Sequence, residues 1–153
     1  MLGFSGYSQT ARVTITRGSS VQFIFESYHD IANGKTLGSG STGYTTIDVY
    51  YRNSTSPATW YLNIRSNNTN FQPDFGTTTL PLNYMTMDVY LDGGITGNYT
   101  LTSLDQQIAT ATGNYSAGVN HAVTITYHFA ESGGLIGVNS DNFSTDLIIT
   151  LHD

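Results

Sequence analysis

The stretch VNHAVTITYHF, residues 119–129, decides the fold class. Its apolar side chains recur at every second position, at Val123, Ile125, Tyr127 and Phe129. Successive side chains of a β-strand point to opposite faces, so this pattern predicts a strand with one buried face and one solvated face. The same alternation recurs along the chain and helical periodicity is nearly absent, which predicts an all-β protein.

Several other segments show the period of two, and they are separated by stretches rich in Gly, Asn and Ser that favour turns. Closely spaced strands of this kind, eight or nine in number, favour an antiparallel β-sandwich (Ig-like or pilin-like) without substantial helix. The stretch RNSTSP at 52–57 indicates a hairpin between two strong strands. The predicted strands are 44–52, 58–66, 82–91, 99–104, 106–111 and 145–152, and the other predicted connections are 33–43, 66–76, 92–98, 111–118 and 131–142.

The start of the chain leaves an alternative open. VQFIF (21–25) is predicted as a core strand, because it carries too many apolar residues to be exposed. TARVTIT (10–16) can instead pair within the molecule, through a hairpin turn at RGSS, or reach into a neighbouring copy. We therefore divide the chain into residues 1–19, a candidate donor strand, and residues 20–153, a single β-sandwich domain.

The candidate donor strand carries a narrow apolar stripe. Val13 and Ile15 would fill pockets on the acceptor, and Arg12 and Arg17 flank them. The apolar residues 1–8 fit equally well a remnant of an export signal and a native start that packs against something.

Composition limits the classes of partner. The chain has 153 residues, a net charge of −6 and no basic run, which argues against nucleic acid as a partner. No apolar stretch approaches the roughly 20 residues of a membrane span, so membrane insertion is not expected. Charged residues make up only 10% of the chain, against roughly 25% in ordinary globular proteins. This low charge favours an extracellular or cell-surface location.

The sequence gives no sign of catalysis, cofactor or metal. It has no cysteine, no nucleophile elbow and no phosphate-binding loop, so we expect a protein that is not an enzyme. His121 and His128 lie seven residues apart in one predicted strand and would point to opposite faces, so they are not expected to share a metal. Asp141 lies in an oxygen-rich loop where turn chemistry is favoured over Ca²⁺ binding.

Aromatic residues are the candidates for binding. Tyr50 is adjacent to Tyr51, and Trp60 to Tyr61, so one member of each pair should face away from the core. Tyr50, Tyr61 and Trp60 are therefore candidates for stacking on a ligand or for an interface with another subunit. Cross-strand pairing on an exposed face is the remaining alternative for such tyrosines.

Three segments carry a resemblance. The strand AVTITYHF, the loop ESGGLIGVNSDNF and the final STDLIITL resemble the end of pilin-like β-sandwich subunits of bacterial surface fibres. The spore-coat-U-like group of secreted proteins is similar, and YRNSTSPATWYLNIRS resembles a hairpin that places a tryptophan on the core side. The chain lacks the disulfide often seen in such proteins. The resemblance implies an exported, non-catalytic subunit that joins its copies by donating an N-terminal strand.

We therefore expect a structural subunit of an extracellular filament, pilus-like fibre or surface layer, with other copies of itself as partners. Strand addition would join the copies, because an edge strand offers unpaired N–H and C=O groups. The alternatives are a carbohydrate-binding or adhesin β-sandwich, with surface glycans as partners, and a phage or capsid structural protein.

Overall fold

The computed structural model describes residues 9–53, 58–113, 119–131, 134–138 and 141–153. It confirms an antiparallel all-β fold, in which the described part of the chain has one α-helix, α1 (Tyr28–Asn33), and two short 3₁₀ helices, Gly40–Thr42 and Leu82–Tyr84. The strands are β1 (Gln9–Arg17), β2 (Lys35–Leu37), β3 (Thr45–Asn53), β4 (Ala58–Ser66), β5 (Asn70–Pro73), β6 (Leu80–Pro81), β7 (Met85–Leu91), β8 (Gly94–Thr100), β9 (Gln106–Gly113), β10 (Val119–Phe129), β11 (Phe143–Ser144) and β12 (Leu147–His152).

Two sheets form the faces of the sandwich. The larger sheet has the order β1-β3-β10-β7-β8, and β2 pairs with β10 beyond the end of β3. The smaller sheet has the order β12-β4-β9, and a third group of short strands pairs as β11-β5-β6. The central β10 is the strand whose alternation predicts the fold, and it is flanked by long strands on both sides.

The core lies between the two sheets. In the larger sheet the buried positions of β10 include Val123 and Ile125, which are 0% exposed. From the smaller sheet, β4 contributes Trp60, Leu62 and Ile64, also 0% exposed, at every second position. All five belong to one cluster of buried apolar residues. Burial of this kind of apolar surface is the main favourable term in folding.

The β7–β8 connection is tighter than the sequence predicts. Residues 92–98 were expected to be a turn, but only Asp92 and Gly93 connect Leu91 to Gly94, and β8 begins at once. Both residues have positive φ, 50° and 86°. An Asp-Gly pair in this conformation suits a two-residue hairpin turn, whose twist matches that of the flanking strands. The predicted strand 99–104 is therefore the end of β8, which stops at Thr100.

The prediction that VQFIF forms a core strand is wrong. Residues 21–26 have no strand pairing. Phe23 and Phe25 instead place their rings 5.1 and 6.1 Å from that of Phe129, while Ile24 is 52% exposed. The alternating side chains Val21, Phe23 and Phe25 pack against the core without strand pairing.

Neither the hairpin predicted at RNSTSP nor the RGSS hairpin, which was one open alternative for β1, forms. β1 does not pair with residues 21–25 through RGSS; it pairs antiparallel with β3. β3 and β4 do not pair across the connection that begins after Asn53, because they belong to different sheets. β3 and β4 each have a buried apolar face. Two strands show this alternation whether they pair side by side or face each other across the core, so the alternation alone does not predict a hairpin. Most of that connection, residues 54–57, lies outside the described residues.

Short strands also lie where the sequence indicates loops. β2 falls within the predicted connection 33–43 and β5 within the predicted connection 66–76. Strands of two to four residues are too short to show an alternating pattern, so the sequence gives little signal for them.

Shortening a buried side chain of the smaller sheet tests this assignment of the core. Leu62→Ala should lower the free energy of unfolding by about 2–5 kcal/mol, because it removes buried methyl groups and leaves a cavity. Leu104→Ala is the matched control, because Leu104 is 75% exposed, and should change stability by no more than about 0.5 kcal/mol. Chemical denaturation measures both, and equal losses would contradict the assignment of the core.

Candidate functional site

The strand β1 lies at the edge of the larger sheet and is attached through one neighbour, β3. Of the four candidate donor residues, Val13 packs against the core, while Ile15 is 43% exposed. Arg12 lies on the outer face, where its guanidinium carbon is 5.4 Å from the centre of the Tyr50 ring. β1 therefore contributes little to the core beyond Val13.

The end of β1 is fixed by hydrogen bonds. The guanidinium of Arg17 donates to the carbonyl oxygens of Thr42 and Gly43, the second at 3.1 Å. The hydroxyl of Thr45 donates to the carbonyl of Gly18 at 2.7 Å. Gly18 has a φ of 65°, and a Cβ there would lie 2.6 Å from the carbonyl oxygen of Tyr44. A glycine is thus required where β1 ends.

Two of the three stacking candidates lie away from this edge. Trp60 is 0% exposed and its ring lies 5.5 Å from that of His121, so its position does not fit a surface stacking role. Its indole N–H has no hydrogen-bond partner within the described ranges. Tyr61 is half-buried on the smaller sheet, where its ring stacks on that of His152 at 5.4 Å.

The third candidate, Tyr50, lies in a groove on the outer face of the larger sheet. The strand register places Arg12, Tyr50 and Asn120 directly opposite one another across β1, β3 and β10. A second row, one step along the strands, consists of Thr14, Asp48 and Ala122. These two rows line a cavity of about 520 Å³.

Asp92 closes the groove at the β7–β8 turn. Its carboxylate accepts hydrogen bonds from Nδ1 of His121 at 2.6 Å and from the backbone N–H of Ala122 at 2.9 Å. Its own N–H donates to the carbonyl of Ala122 at 2.9 Å. Partial burial raises the pKa of Asp92, but these hydrogen bonds outweigh it and hold the pKa below its usual value. The turn is therefore pinned to β10.

Sequence reasoning identified Arg12 and Tyr50 but missed Asp48, Asp92 and Asn120. Asp48 and Tyr50 are two residues apart and share the outer face of β3, which was visible in the alternation. Asn120 belongs to the same row only because β10 pairs with β3 in this register. No local signal in the sequence gives that register.

A second cluster lies farther along the outer face of β10. When His128 is protonated, its Nε2–H donates to Asp88 and its Nδ1–H donates to Glu131, both at 3.1 Å. The hydroxyl of Thr36 in β2 also donates to Glu131. Burial lowers the pKa of His128, but the two carboxylates outweigh it, and the pKa is raised above the usual 6.5.

The two carboxyls have lowered pKa values. A hydrogen bond from Asn98 is the largest influence on the pKa of Asp88 and lowers it; burial opposes this, and His128 adds to the lowering. Burial raises the pKa of Glu131, but hydrogen bonds from Thr36 and His128 outweigh it, and the net direction is down. The cluster is therefore strongest when His128 is charged and both acids are ionised.

Asp141 has a structural role in the described loops. Its carboxylate accepts hydrogen bonds from the backbone N–H groups of Asp74, Phe75, Gly76 and Asn142, of which the one from Gly76 is 2.7 Å long. Burial raises the pKa of Asp141, but the hydrogen bonds from these N–H groups lower it by more, so the pKa lies below its usual value. The carboxylate thus caps the loop after β5.

Within the described ranges, no three acidic, histidine or cysteine side chains are grouped so that they could hold a metal ion. The described helices include none that is long and apolar enough to cross a membrane. No protein-family model matches the chain, and no curated protein is significantly similar to it. The site must therefore be interpreted from its own geometry.

The His128 cluster predicts a pH dependence of stability. Because the pKa of His128 is raised in the folded state, protonation of His128 stabilises the fold. This contribution is fully present below the unfolded pKa near 6.5 and is lost as the pH rises through the folded pKa. His128→Gln should therefore destabilise the protein more at pH 5.5 than at pH 8.5. The difference should be up to about 1 kcal/mol, because the groups are partly exposed.

Urea denaturation at the two pH values measures the effect. His29→Gln is the control, because His29 is exposed and its ring contacts Asn33 rather than a carboxylate; it should change stability by no more than about 0.5 kcal/mol at either pH. A destabilisation by His128→Gln that is equal at both pH values, or larger at pH 8.5, would show that the ion pairs do not contribute in this way.

Proposed function

We propose that the protein is a structural subunit that assembles with copies of itself by exchanging its N-terminal strand, β1. In this assembly, β1 of one copy pairs with β3 of the next, and the product is an extracellular filament, pilus-like fibre or surface layer. The observation that carries the proposal is the attachment of β1, which is paired with one strand and contributes Val13 to the core.

The edge of β3 supports the proposal, because it needs a partner. Ile47 and Val49 of β3 are 0% exposed, and they lie opposite Ile15 and Val13 of β1. Without β1, the backbone N–H and C=O groups on this edge of β3 would lose their partners, and an uncovered edge of this kind invites pairing with another chain. A β1 strand from a neighbouring copy would make the same bonds and the same side-chain contacts.

The chain also offers a hinge for the exchange. Arg17 and Gly18 form hydrogen bonds that join the end of β1 to residues 42–45. On exchange these bonds would break within one chain and form again with residues 42–45 of the neighbouring copy. Ser19 and Ser20 follow at the surface, are exposed and have no regular secondary structure. Exchange of an identical element changes few contacts, so it proceeds at low energetic cost beyond the loss of freedom on association.

Composition supports an exterior location for the assembly. Lys and Arg number only five in 153 residues, and cysteine is absent. The exposed positions are largely Thr, Ser, Asn and Gly, as in β9 and β10, where Thr110 and Asn120 are exposed.

A pair of engineered cysteines distinguishes exchange from pairing within one chain. Thr10 and Arg52 lie directly opposite each other in β1 and β3, a geometry in which a disulfide forms with small adjustment. The variant Thr10→Cys/Arg52→Cys is assembled under reducing conditions and then oxidised. The native chain has no cysteine, so every disulfide reports this pair. Strand exchange predicts covalent oligomers on a non-reducing denaturing gel.

The control is Asp48→Cys/Ala122→Cys, which places the pair across β3 and β10 and should give monomers only. Far-UV circular dichroism confirms that both variants fold. Strand exchange is contradicted if the 10–52 disulfide forms only within chains. It is also contradicted if the unmodified protein stays monomeric by light scattering at millimolar concentration.

A further inference from the structure

We propose that the groove around Tyr50 binds a neutral carbohydrate. It lies on the outer face of the larger sheet, is open to solvent, is formed by the Arg12–Tyr50–Asn120 and Thr14–Asp48–Ala122 rows, and has a volume of about 520 Å³. This volume lies in the range of small-molecule sites. Strand exchange is a separate matter, because the two rows form whether β1 belongs to the same chain or to a neighbour.

The concave shape follows from the residue sizes. Ala122 lies between Asp48 on β3 and Asp92 at the β7–β8 turn, and its small side chain leaves space between two larger ones. Neighbouring strands are only about 4.8 Å apart, so groups from three strands can reach one sugar ring. The hydrogen bonds on Asp92 keep that wall in place.

The hydrogen-bonding groups suit hydroxyls. Asp48 and Asn120 are exposed and have no protein partner in the described part of the chain. Asp48 accepts hydrogen bonds, Asn120 both donates and accepts, and Arg12 donates. A sugar hydroxyl is both a donor and an acceptor, so it can use all three groups.

Tyr50 supplies an apolar surface. Its ring lines the groove, and the guanidinium carbon of Arg12 lies over one face of the ring, 5.4 Å from its centre, so a sugar would pack on the other face. The C–H face of a pyranose carries a small positive potential and packs well on the negative face of an aromatic ring. A flat ring beside several polar groups therefore matches the two kinds of surface on a sugar.

Charge favours a neutral ligand. Asp48 and Asp92 place two carboxylates at the groove against the guanidinium of Arg12, and the His121 ring that also lines it is already hydrogen-bonded to Asp92, which disfavours an anion. Asp92 already accepts two hydrogen bonds, and the described residues include no group of three metal-binding side chains. A purely apolar molecule would also leave the charged and amide groups of the lining without partners.

The test titrates the ¹⁵N-labelled protein with cellotriose, maltotriose, mannotriose and N,N′,N″-triacetylchitotriose and follows the amide signals. At least one sugar should shift the amides of Thr14, Asp48 and Asn120. Tyr50→Ala should weaken that affinity by about tenfold or more. Tyr50→Phe keeps the ring and should retain the affinity to within a few-fold, and Asn120→Ala should lower it by about threefold to tenfold.

Tyr61→Ala is the matched control, because Tyr61 is a half-buried tyrosine on the other sheet, and it should leave the affinity unchanged. The proposal is overturned if no sugar shifts these amides, or if Tyr50→Ala binds as well as the native protein. It is also overturned if only a cationic probe, spermine, shifts them, since the groove would then be an amine site. The amide signals are recorded by solution NMR for the monomer and by solid-state NMR for an assembly, so the outcomes do not depend on whether the protein assembles.

Discussion

Strand β3 needs a partner on both of its edges, and the rest of the structure depends on this pairing. β10 occupies one edge and β1 the other. With both in place, Ile47 and Val49 are fully buried against the opposite sheet. β10 is held from its other side by β7, whereas β1 has no second neighbour in its sheet. β8, at the other edge of this sheet, also has one neighbour but is joined to it by a two-residue turn, so β1 is the edge strand suited to exchange.

The same pairing organises the outer face. Once β1 and β10 are in register with β3, Arg12, Tyr50 and Asn120 form one row across the three strands. The groove therefore requires a β1 strand at this edge, from whichever copy it comes. Assembly would use the edge of β3 and ligand binding the outer face, and an exchanged subunit would present a groove built from two chains.

Local patterns made much of the fold predictable. β4 and β10 have the bounds that alternation predicts, Ala58–Ser66 and Val119–Phe129, because each buries every second side chain. Alternation does not say which strand is the neighbour. For that reason RNSTSP was misread as a hairpin, and VQFIF, whose rings pack on Phe129, was misread as a strand. The groove was beyond prediction for the same reason, since its rows join residues up to 108 positions apart, from Arg12 to Asn120.

The most direct test of strand exchange needs no substitution. Equal amounts of ¹³C-labelled and ¹⁵N-labelled chains are mixed unfolded, refolded and assembled, and magnetisation transfer between the two labels is recorded by solid-state NMR. Strand exchange predicts transfer between chains for Val13 and Val49, which lie opposite each other in β1 and β3. Transfer for Val49 and His121, a β3–β10 pair, should stay within a chain. Absence of interchain transfer between Val13 and Val49 in the assembled material would contradict the exchange of β1.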